Sequence, residues 1–354
     1  MRPVAAPSLS TSERAPCSPR QVLELLCGPY EGAPVTVECF SVAGTPVSIA
    51  WTSDALRRAL RPAIAHLETR DPAAIRVTVA DSATSGIRMP PFPWRPDDVG
   101  ARGEVARASG DGVQTAYFGP SKALSMYHAA EGRGFFWVPN GGALAPHERA
   151  APLRTLFHWI GVTSGRRMAH AAAVGALGVG ALLASRGGSG KSTTALLCLL
   201  AGMEFVGDDY VAVGIEPHPV AFALYGTAKV TSETLSLVPR ARDSLMVAPS
   251  GSDKGVVLAS AVGGERVVRH VPLGAIVVPR VTRERKTRAR RASATEVILA
   301  LAPTTMLQLP GNDAAAFEQL TSMARRLPGW TLELGSDLAQ IPGRVAEILE
   351  RSTP

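Results

Sequence analysis

The sequence predicts a two-domain α/β protein whose second half is a nucleotide-binding domain built around a phosphate-binding loop. The chain has 354 residues, more than one domain usually contains. Its second half alternates short apolar strands with segments of helical spacing. A glycine-rich loop, Ser185-Arg-Gly-Gly-Ser-Gly-Lys-Ser192, stands between a strand and a helix of that half. Together these three observations predict the fold class.

The first half predicts a short tail followed by a smaller α/β domain. Residues 1–20 are rich in Pro, Ser and Arg and lack the apolar run of a secretory signal, so we expect a disordered tail. Within 21–150, a helix is predicted after the capping Ser53 and a strand over Ala74–Ala80. We place the domain boundary near residue 150 and expect a substrate-recognition role for the first half.

Residues 151–354 are predicted to form the catalytic domain. An apolar hairpin around Val174-Gly-Ala-Leu-Gly-Val leads into the phosphate loop. A strand over Ala181–Ala184, the loop, a helix over Lys191–Leu200 and a strand from Glu204 then form a βαβ unit. The uncharged run Ala169–Ala184 is too short for a membrane-spanning helix, which needs about twenty residues. Further elements are predicted over Leu273–Pro279 (strand), Ser293–Leu301, Ala314–Arg326 and Pro342–Arg351 (helices).

The amino-acid composition limits the binding partners and the cellular compartment that we expect. Lys and Arg outnumber Asp and Glu by 37 to 30, which favours anionic ligands such as nucleotides. The four cysteines form no CxxC pair, so neither a zinc site nor a disulfide framework is indicated, and we expect a cytoplasmic protein. They are Cys17, Cys27, Cys39 and Cys198.

The glycine-rich loop has the chemistry of a triphosphate site. Gly187, Gly188 and Gly190 free consecutive backbone N–H groups to point at phosphate oxygens. Lys191 is expected to reach the β and γ phosphates, and the hydroxyl of Ser192 to bind Mg²⁺. The predicted ATP-binding set is Ser185, Arg186, Gly187, Gly188, Ser189, Gly190, Lys191, Ser192 and Thr193. Ser185 replaces the first Gly of the consensus, and a chance glycine-rich turn is the alternative interpretation.

An acidic pair follows at a spacing that suits catalysis. Asp208 and Asp209 lie directly after the apolar strand segment Phe205-Val-Gly, seventeen positions beyond Lys191. A strand end in a βαβ unit lies beside the phosphate loop, so one carboxylate can hold the metal, directly or through water. The other can accept a proton from an attacking hydroxyl. The alternative is a solvated turn, because Asp is common in turns.

These motifs resemble the C-terminal kinase domain of HPr kinase/phosphorylase and related serine kinases. The landmarks are His170, fifteen positions before Ser185, the loop ending Gly-Lys-Ser, and the Asp pair. The resemblance implies an HPr-kinase-like domain in which Asp208 is the base and Asp209 contacts metal or substrate. His170 then lies near the transferred phosphate or its acidic partners. Thr193 departs from the family, which has an acidic residue there. No downstream Arg-Gly segment matches the family's phosphorylase signature.

The predicted function is therefore an ATP- and Mg²⁺-dependent kinase acting on a Ser or Thr hydroxyl of a peptide or small protein. The resemblance implies tailoring of ribosomal peptides as one setting. A small-molecule acceptor stays open, because the site layout also resembles phosphoenolpyruvate carboxykinase more distantly. The alternative from another class is an ATP-binding or hydrolysing switch or assembly protein that has no phosphorylated acceptor.

The chain has two further basic features. Lys254 lies in a Gly-rich loop, where an ordinary surface lysine is the favoured interpretation. The alternative is that it reaches the γ phosphate, which makes it a candidate ATP-binding residue. The run Arg280–Arg291 has no interleaved aromatic residues, so nucleic acid is not a predicted partner. We expect it to be a solvated loop tip, with docking of an acidic peptide as the alternative. A membrane partner is not predicted either, and a homo-oligomer is compatible with the sequence.

Overall fold

A computed structural model of the chain describes residues 18–33, 35–251, 253–311 and 314–352. Residues 1–17 lie outside the described part, so most of the predicted tail cannot be compared with it. At its end the prediction was wrong, because Pro19 and Arg20 already belong to the first helix. That helix begins there because Ser18 and Gln21 form a reciprocal capping box.

Helices and strands of the described residues make a mixed α/β structure. The helices are α1 Pro19–Glu31, α2 Asp54–Leu60, α3 Ser82–Ser85, α4 Pro146–Ala150, α5 Arg154–Thr163, α6 Lys191–Leu200, α7 Ser232–Leu237, α8 Ala259–Gly263, α9 Ala294–Met306, α10 Ala314–Arg326 and α11 Gln340–Glu350. The strands up to the phosphate loop are β1 Thr36–Val42, β2 Thr45–Trp51, β3 Ile75–Asp81, β4 Val113–Phe118, β5 Ala123–His128, β6 Arg133–Val138, β7 Arg167–Ala169, β8 Ala171–Ala176 and β9 Val179–Ala184. Those after it are β10 Glu204–Gly207, β11 Val211–Gly214, β12 Val220–Phe222, β13 Thr227–Val230, β14 Leu245–Val247, β15 Gly255–Leu258, β16 His270–Val281, β17 Arg288–Ala292 and β18 Gly329–Leu334.

The first half is organised by a mixed sheet in the order β1-β2-β3-β6-β5-β4. Strands β2, β3 and β6 run parallel, and the outer pairs are antiparallel. One face buries α1 against Phe135 and Met126, and the other joins an apolar cluster that continues into the second half. That cluster extends from Phe40 to Leu327, so the two halves share buried side chains. The domain division near residue 150 stays a prediction.

The second half is built on a large sheet whose path runs β10-β8-β9-β16-β12-β11-β7, with β18 pairing β16 and β17 pairing β18. Strands β9, β16 and β18 are parallel, so their carboxyl ends meet at one edge of the sheet. Helices α6 and α11 cover one face, and α9 covers the other. Ligands of α/β sheets bind at such an edge, and here the phosphate loop follows β9.

A small sheet, β13-β15-β14, stands beside the large one and completes the second half. Strand β13 pairs β15 with Val230 opposite Gly255. Thr227 at the start of β13 donates from its hydroxyl to the carbonyl of Ala150, 2.7 Å away, which fixes the strand against the end of α4. This small sheet matters for the site because it carries two of the chain's lysines.

Several predicted elements are confirmed by the structure. Strands β8 and β9 form the expected antiparallel hairpin, and its turn residues Leu177 and Gly178 both have positive φ, as a tight two-residue turn requires. The βαβ unit is present, with β10 parallel to β9 across the intervening β8. No helix among the described residues combines the length and the apolar character that crossing a bilayer would need.

Candidate functional site

The phosphate loop connects the carboxyl end of β9 to the first turn of α6. Its tip is exposed from Arg186 to Gly188, whereas Ser185 and Lys191 at its two ends are buried. The ammonium of Lys191 donates to the carbonyl of Ser185 at 2.5 Å and to that of Arg186 at 3.2 Å. Helix α6 starts at Gly190 without a side-chain cap. The loop thus presents a lysine and an open helix N-terminus, the two features that favour an anion.

Two glycines of the loop have backbone conformations that other residues adopt at a cost. Gly188 has φ +79° and Gly190 has φ +94°. A Cβ atom at Gly190 would lie 2.4 Å from the Cδ1 atom of Leu334 at the end of β18, closer than real contacts allow. No atom would lie within 4 Å of a Cβ at Gly188, so that side of the loop is open. The glycine at 190 is therefore needed both for its φ and for packing.

Asp208 lies at the end of β10 and is only 2% exposed. Its Oδ2 atom accepts a hydrogen bond from the backbone N–H of Lys229 at 3.1 Å. Its Oδ1 atom accepts no hydrogen bond within the described part of the chain, although the nearby hydroxyl of Ser192 lowers the carboxyl's pKa. A buried carboxylate oxygen of this kind calls for a ligand or an ion. Asp208 therefore lies beside the residue that the loop motif assigns to magnesium.

Asp209 is held by two basic side chains. Its Oδ1 atom lies 3.2 Å from Nε2 of His170, and its Oδ2 atom lies 2.6 Å from Nζ of Lys229. The residue has φ +67°, in the left-handed region that Asp adopts more readily than most residues. Strained backbone of this kind is concentrated at functional sites. The sequence prediction that Asp208, Asp209 and the phosphate loop come together is thus matched by their positions.

The two carboxyl groups differ in their electrostatic surroundings. Burial, followed by the charge of Asp209, raises the pKa of Asp208 above its ordinary value, and the Ser192 hydroxyl and Lys191 only partly offset the shift. The pKa of Asp209 is lowered despite its burial, because His170 and Lys229 stabilise its charged form. Adjacent acids whose environments separate their pKa values in this way are typical of acid–base sites. Asp208 is the one suited to exchange a proton.

Three of the chain's five lysines gather here. Burial lowers the pKa of Lys191, the two Asp charges raise it, and the charge of Lys254 lowers it further, which places Lys254 close to Lys191. Lys254 immediately precedes β15 and is exposed, and Lys229 belongs to the neighbouring β13. The small sheet therefore brings Lys229 and Lys254 over the site.

Lys229 is the residue that sequence reasoning missed. It lies in an apolar strand, 38 positions after Lys191 and far from any motif. The available signal was the scarcity of lysine in a chain whose positive charge comes mostly from arginine. A lysine on a buried strand of such a chain indicates a specific partner, because unpaired burial of an ammonium is costly.

The other predicted loop residues have identifiable surroundings. The hydroxyl of Ser185 contacts that of Ser189 across the loop. The hydroxyl of Thr193 lies 3.3 Å from that of Thr234 on α7. The positions of these residues agree with a phosphate loop, while their roles in binding stay predictions.

The basic run Arg280–Arg291 matches the prediction of a solvated loop tip only in its middle. Residues 282–287 connect β16 to β17, and residues 283–286 are exposed there. The start of the run belongs to the end of β16, and Arg288–Ala292 forms β17, an edge strand paired with β18. The guanidinium of Arg291 lies 4.5 Å from the ring centroid of Trp330. For β17 the loop prediction was wrong, because an exposed edge strand needs little apolar alternation.

The chemistry of the donor set fits magnesium. No group of three or more His, Cys, Asp or Glu side chains arranged for a metal is present among the described residues. Mg²⁺ nevertheless needs few protein ligands, because phosphates and water complete its octahedron. The Ser192 hydroxyl and the adjacent, unsatisfied Oδ1 of Asp208 offer hard oxygen donors. The predicted direct contact from Asp209 would compete with Lys229 and His170 for the same oxygens.

Comparisons with known proteins give a structural likeness only. Neither a protein-family model nor a curated protein matches the chain. Among solved structures, the chain is similar to the Hpr(Ser) kinase/phosphatase from Coxiella burnetii, with 11% identity and a TM-score of 0.30 over 52% of this chain and 95% of that one. At this TM-score the likeness carries no conclusion about fold or activity, and the functional argument rests on the site itself.

Proposed function

We propose that this chain is a kinase that transfers the γ-phosphate of ATP to a Ser or Thr hydroxyl of a peptide or small protein. The proposal is carried by one arrangement: a buried carboxyl with raised pKa, Asp208, lies beside the phosphate-loop hydroxyl of Ser192. Such an arrangement puts a proton acceptor at the end of the bound triphosphate, where an attacking hydroxyl would enter.

Nucleotide binding follows from the loop. The open N-terminus of α6 and the glycines at 187, 188 and 190 favour phosphate oxygens. The ammonium of Lys191 donates to two loop carbonyls, and when ATP binds it would donate to β and γ phosphate oxygens instead. Lys254, close to Lys191, would add a second positive charge near the γ-phosphate. Both charges oppose the negative charge that develops on the transferred group.

The chemical step uses Asp208. The acceptor hydroxyl gives its proton to the carboxylate as its oxygen forms a bond to the γ phosphorus. The bond from that phosphorus to the β–γ bridging oxygen breaks, and ADP leaves with the electron pair. A raised pKa makes Asp208 a better proton acceptor than an ordinary surface carboxylate.

Asp209 has a different task. His170 and Lys229 keep it charged, so it supplies a fixed negative charge beside the metal position. We propose that it acts on Mg²⁺ through water, since both of its oxygens are already engaged. Ser192 would be the nearer oxygen donor, and the ion would neutralise charge on the β and γ phosphates. His170 then orients Asp209 at the edge of the phosphate site.

The decisive experiment compares Asp208→Asn with Lys191→Ala. For Asp208→Asn we expect a loss of phosphoryl transfer of at least a hundredfold while MgATP still binds, because a base serves chemistry more than affinity. For Lys191→Ala we expect MgATP affinity itself to fall. Calorimetry measures binding, and mass spectrometry of candidate peptides incubated with ATP measures transfer. Full transfer activity in Asp208→Asn would exclude the assigned base.

The alternative functions give different results in the same assay. A nucleotide-dependent switch would bind MgATP with no phosphorylated acceptor among peptides, proteins or metabolites. A small-molecule kinase would place the phosphate on a metabolite hydroxyl instead. Absence of MgATP binding would refute all three.

A further inference from the structure

A small cavity of about 110 Å³ lies where the first half meets the second, next to the site but separate from it. It suits a single side chain and not a whole ligand, since pockets for whole ligands usually have about 300 Å³ or more. Strands β4 to β6, the segment after residue 100, helices α4 and α5, and the end of α9 all contribute to it. The side chains that line it include Phe118, Glu148, Arg154, Leu307 and Gln308. The cavity could not be predicted from sequence patterns, since its walls are distant in the chain.

We propose that this cavity anchors the acceptor through a carboxylate bound by Arg154, within about three residues of the hydroxyl that is phosphorylated. This inference rests on the proposed kinase function and names a recognition element of its acceptor. It identifies Arg154 as a specificity-determining residue and not as a catalytic one.

The first support is the state of Arg154. One of its terminal nitrogens donates to the hydroxyl of Tyr210 at 3.1 Å, but its buried Nε atom has no hydrogen-bond partner within the described residues. A guanidinium presents its donors as a planar fork, which matches the two oxygens of a carboxylate. Tyr210 thus engages one nitrogen of the Arg154 guanidinium and leaves other N–H groups for a ligand in the cavity.

The second support is the short distance from Arg154 to the residues that hold the carboxyl pair. Tyr210 directly follows Asp209, and its hydroxyl donates to Gln308 at 2.5 Å. The guanidinium carbon of Arg154 lies 5.4 Å from the Tyr210 ring centroid, and the ammonium of Lys229 lies 5.9 Å from it. These two charges are therefore no more than about 12 Å apart, which an extended chain spans in three to four residues. A peptide held at Arg154 can present a neighbouring hydroxyl to the site.

The third support is the mouth of the cavity. Phe118 and Leu307 both line it, and they are among the exposed large apolar residues of the chain, at 36% and 74% exposure. Exposed apolar side chains around a polar interior are typical of a binding site. They would contact the apolar part of the acceptor segment while Arg154 binds its carboxylate.

Glu148 limits what the anchor can be. It is 8% exposed, lines the cavity and accepts a hydrogen bond from Ser121 at 2.8 Å. Its charge would repel a second acid deeper in the cavity. Arg102 is already paired with Glu104, so Arg154 and Glu148 are the lining charges that remain, and they are opposite in sign. Arg154 can therefore take at most one carboxylate, supplied by an Asp or Glu side chain or by a chain terminus.

The test measures binding apart from catalysis. Two fluorescently labelled octapeptide libraries are prepared with a fixed Ser, one with Asp and Glu at the flanking positions and one with Asn and Gln. Each is titrated with the full-length protein in the absence of nucleotide, and C-terminally amidated copies separate a terminal carboxylate from a side chain. We expect the acidic library to bind about tenfold to a hundredfold tighter, as a charge-assisted bond allows. Equal binding of the two libraries would overturn the proposal.

Variants assign the effect to the cavity. Arg154→Gln should abolish the acidic preference, Arg154→Lys should restore it in part, and Leu307→Ser should weaken both libraries alike. Arg58→Gln, an exposed arginine on α2, is the matched control and should bind as the wild type does. An acidic preference that survives in Arg154→Gln would overturn the assignment. MgATP affinity in every variant should stay within about twofold of the wild type.

Transfer activity then separates this proposal from the proposed function. If acidic peptides bind through Arg154 but carry no phosphate after incubation with MgATP, the kinase proposal fails and the anchoring site stands. If peptides are phosphorylated with no acidic preference in kcat/KM, the kinase proposal stands and the anchoring site fails. In a positive result, Arg154→Gln raises KM for the acidic peptide with little change in kcat.

Discussion

Replacing Lys229 with Met tests how the acidic pair is held. The ammonium of Lys229 lies 2.6 Å from Asp209, and the two side chains are 21% and 18% exposed. Removing one partner of a buried ion pair costs about 3 to 5 kcal/mol, because the remaining charge stays buried. His170 still contacts Asp209 and some solvent reaches it, so we expect a loss of about 2 to 3 kcal/mol. With an unfolding entropy of about 2.1 cal/mol/K per residue, this lowers the Tm by roughly 3 °C.

The stability loss in Lys229→Met should depend on pH in a definite direction. The pKa of Asp209 is depressed in the folded protein, so its ionised form contributes stability above its unfolded pKa of about 3.9. That contribution is lost as the pH falls through the folded pKa. The difference in Tm between the wild type and Lys229→Met is therefore largest at neutral pH and shrinks below about pH 4. Without the lysine, the pKa of Asp209 moves upward.

The measurement is a double-mutant cycle with Asp209→Asn, followed by calorimetric melting at pH 7 and at about pH 2.5, below the unfolded pKa of Asp. Lys286→Met is the matched control, because Lys286 is exposed and its replacement should leave the Tm within about 1 °C. The coupling energy between Lys229 and Asp209 should be about 2 kcal/mol at neutral pH. Additive effects of the two substitutions, or an unchanged Tm in Lys229→Met, would refute this account of the pair.

Three further predictions concern the loop and the base. Gly190→Ala should weaken MgATP binding at least tenfold in calorimetry, because the new Cβ meets Leu334 and the φ of +94° is strained, whereas Gly343→Ala in α11 should leave binding unchanged. The acid limb of the kcat/KM profile should have its midpoint above the ordinary Asp value of about 3.9, since Asp208 must lose its proton to act and burial raises its pKa. Asp208→Asn should raise the Tm at pH 7, because a raised folded pKa means that ionised Asp208 destabilises the fold as the pH rises; an unchanged or lower Tm would contradict this.

Local chemistry made the phosphate-loop region predictable from sequence. Helix α6 has the predicted bounds, Lys191–Leu200, because glycine precedes it and Gly202 follows it. The hairpin of β8 and β9 was predictable because Leu177 and Gly178 separate two apolar strands. Positions of the acid pair followed from the rule that parallel strands end at one sheet edge.

Tertiary features were not predictable in the same way. Strand β17 carries three arginines in five residues, and at the edge of the sheet their side chains need no apolar face. Burial decides the sequence pattern of a strand, so an exposed edge strand resembles a loop. The cavity near Arg154 depends on strands, helices and segments up to two hundred positions apart. No pattern within a window of sequence contains that information.

The lysines show how composition can nevertheless indicate a site. In this chain arginine supplies most of the positive charge on the surface, while Lys191, Lys229 and Lys254 surround one carboxyl pair. Lysine differs from arginine in being a compact point charge whose pKa shifts readily with burial. Phosphate oxygens and a neighbouring carboxylate can share such a charge without the planar geometry that a guanidinium requires. Lys229 lies on β13 of the small sheet, and Lys254 immediately precedes its strand β15. The position of this sheet therefore determines whether the charges around Asp208 and Asp209 are balanced when a triphosphate enters.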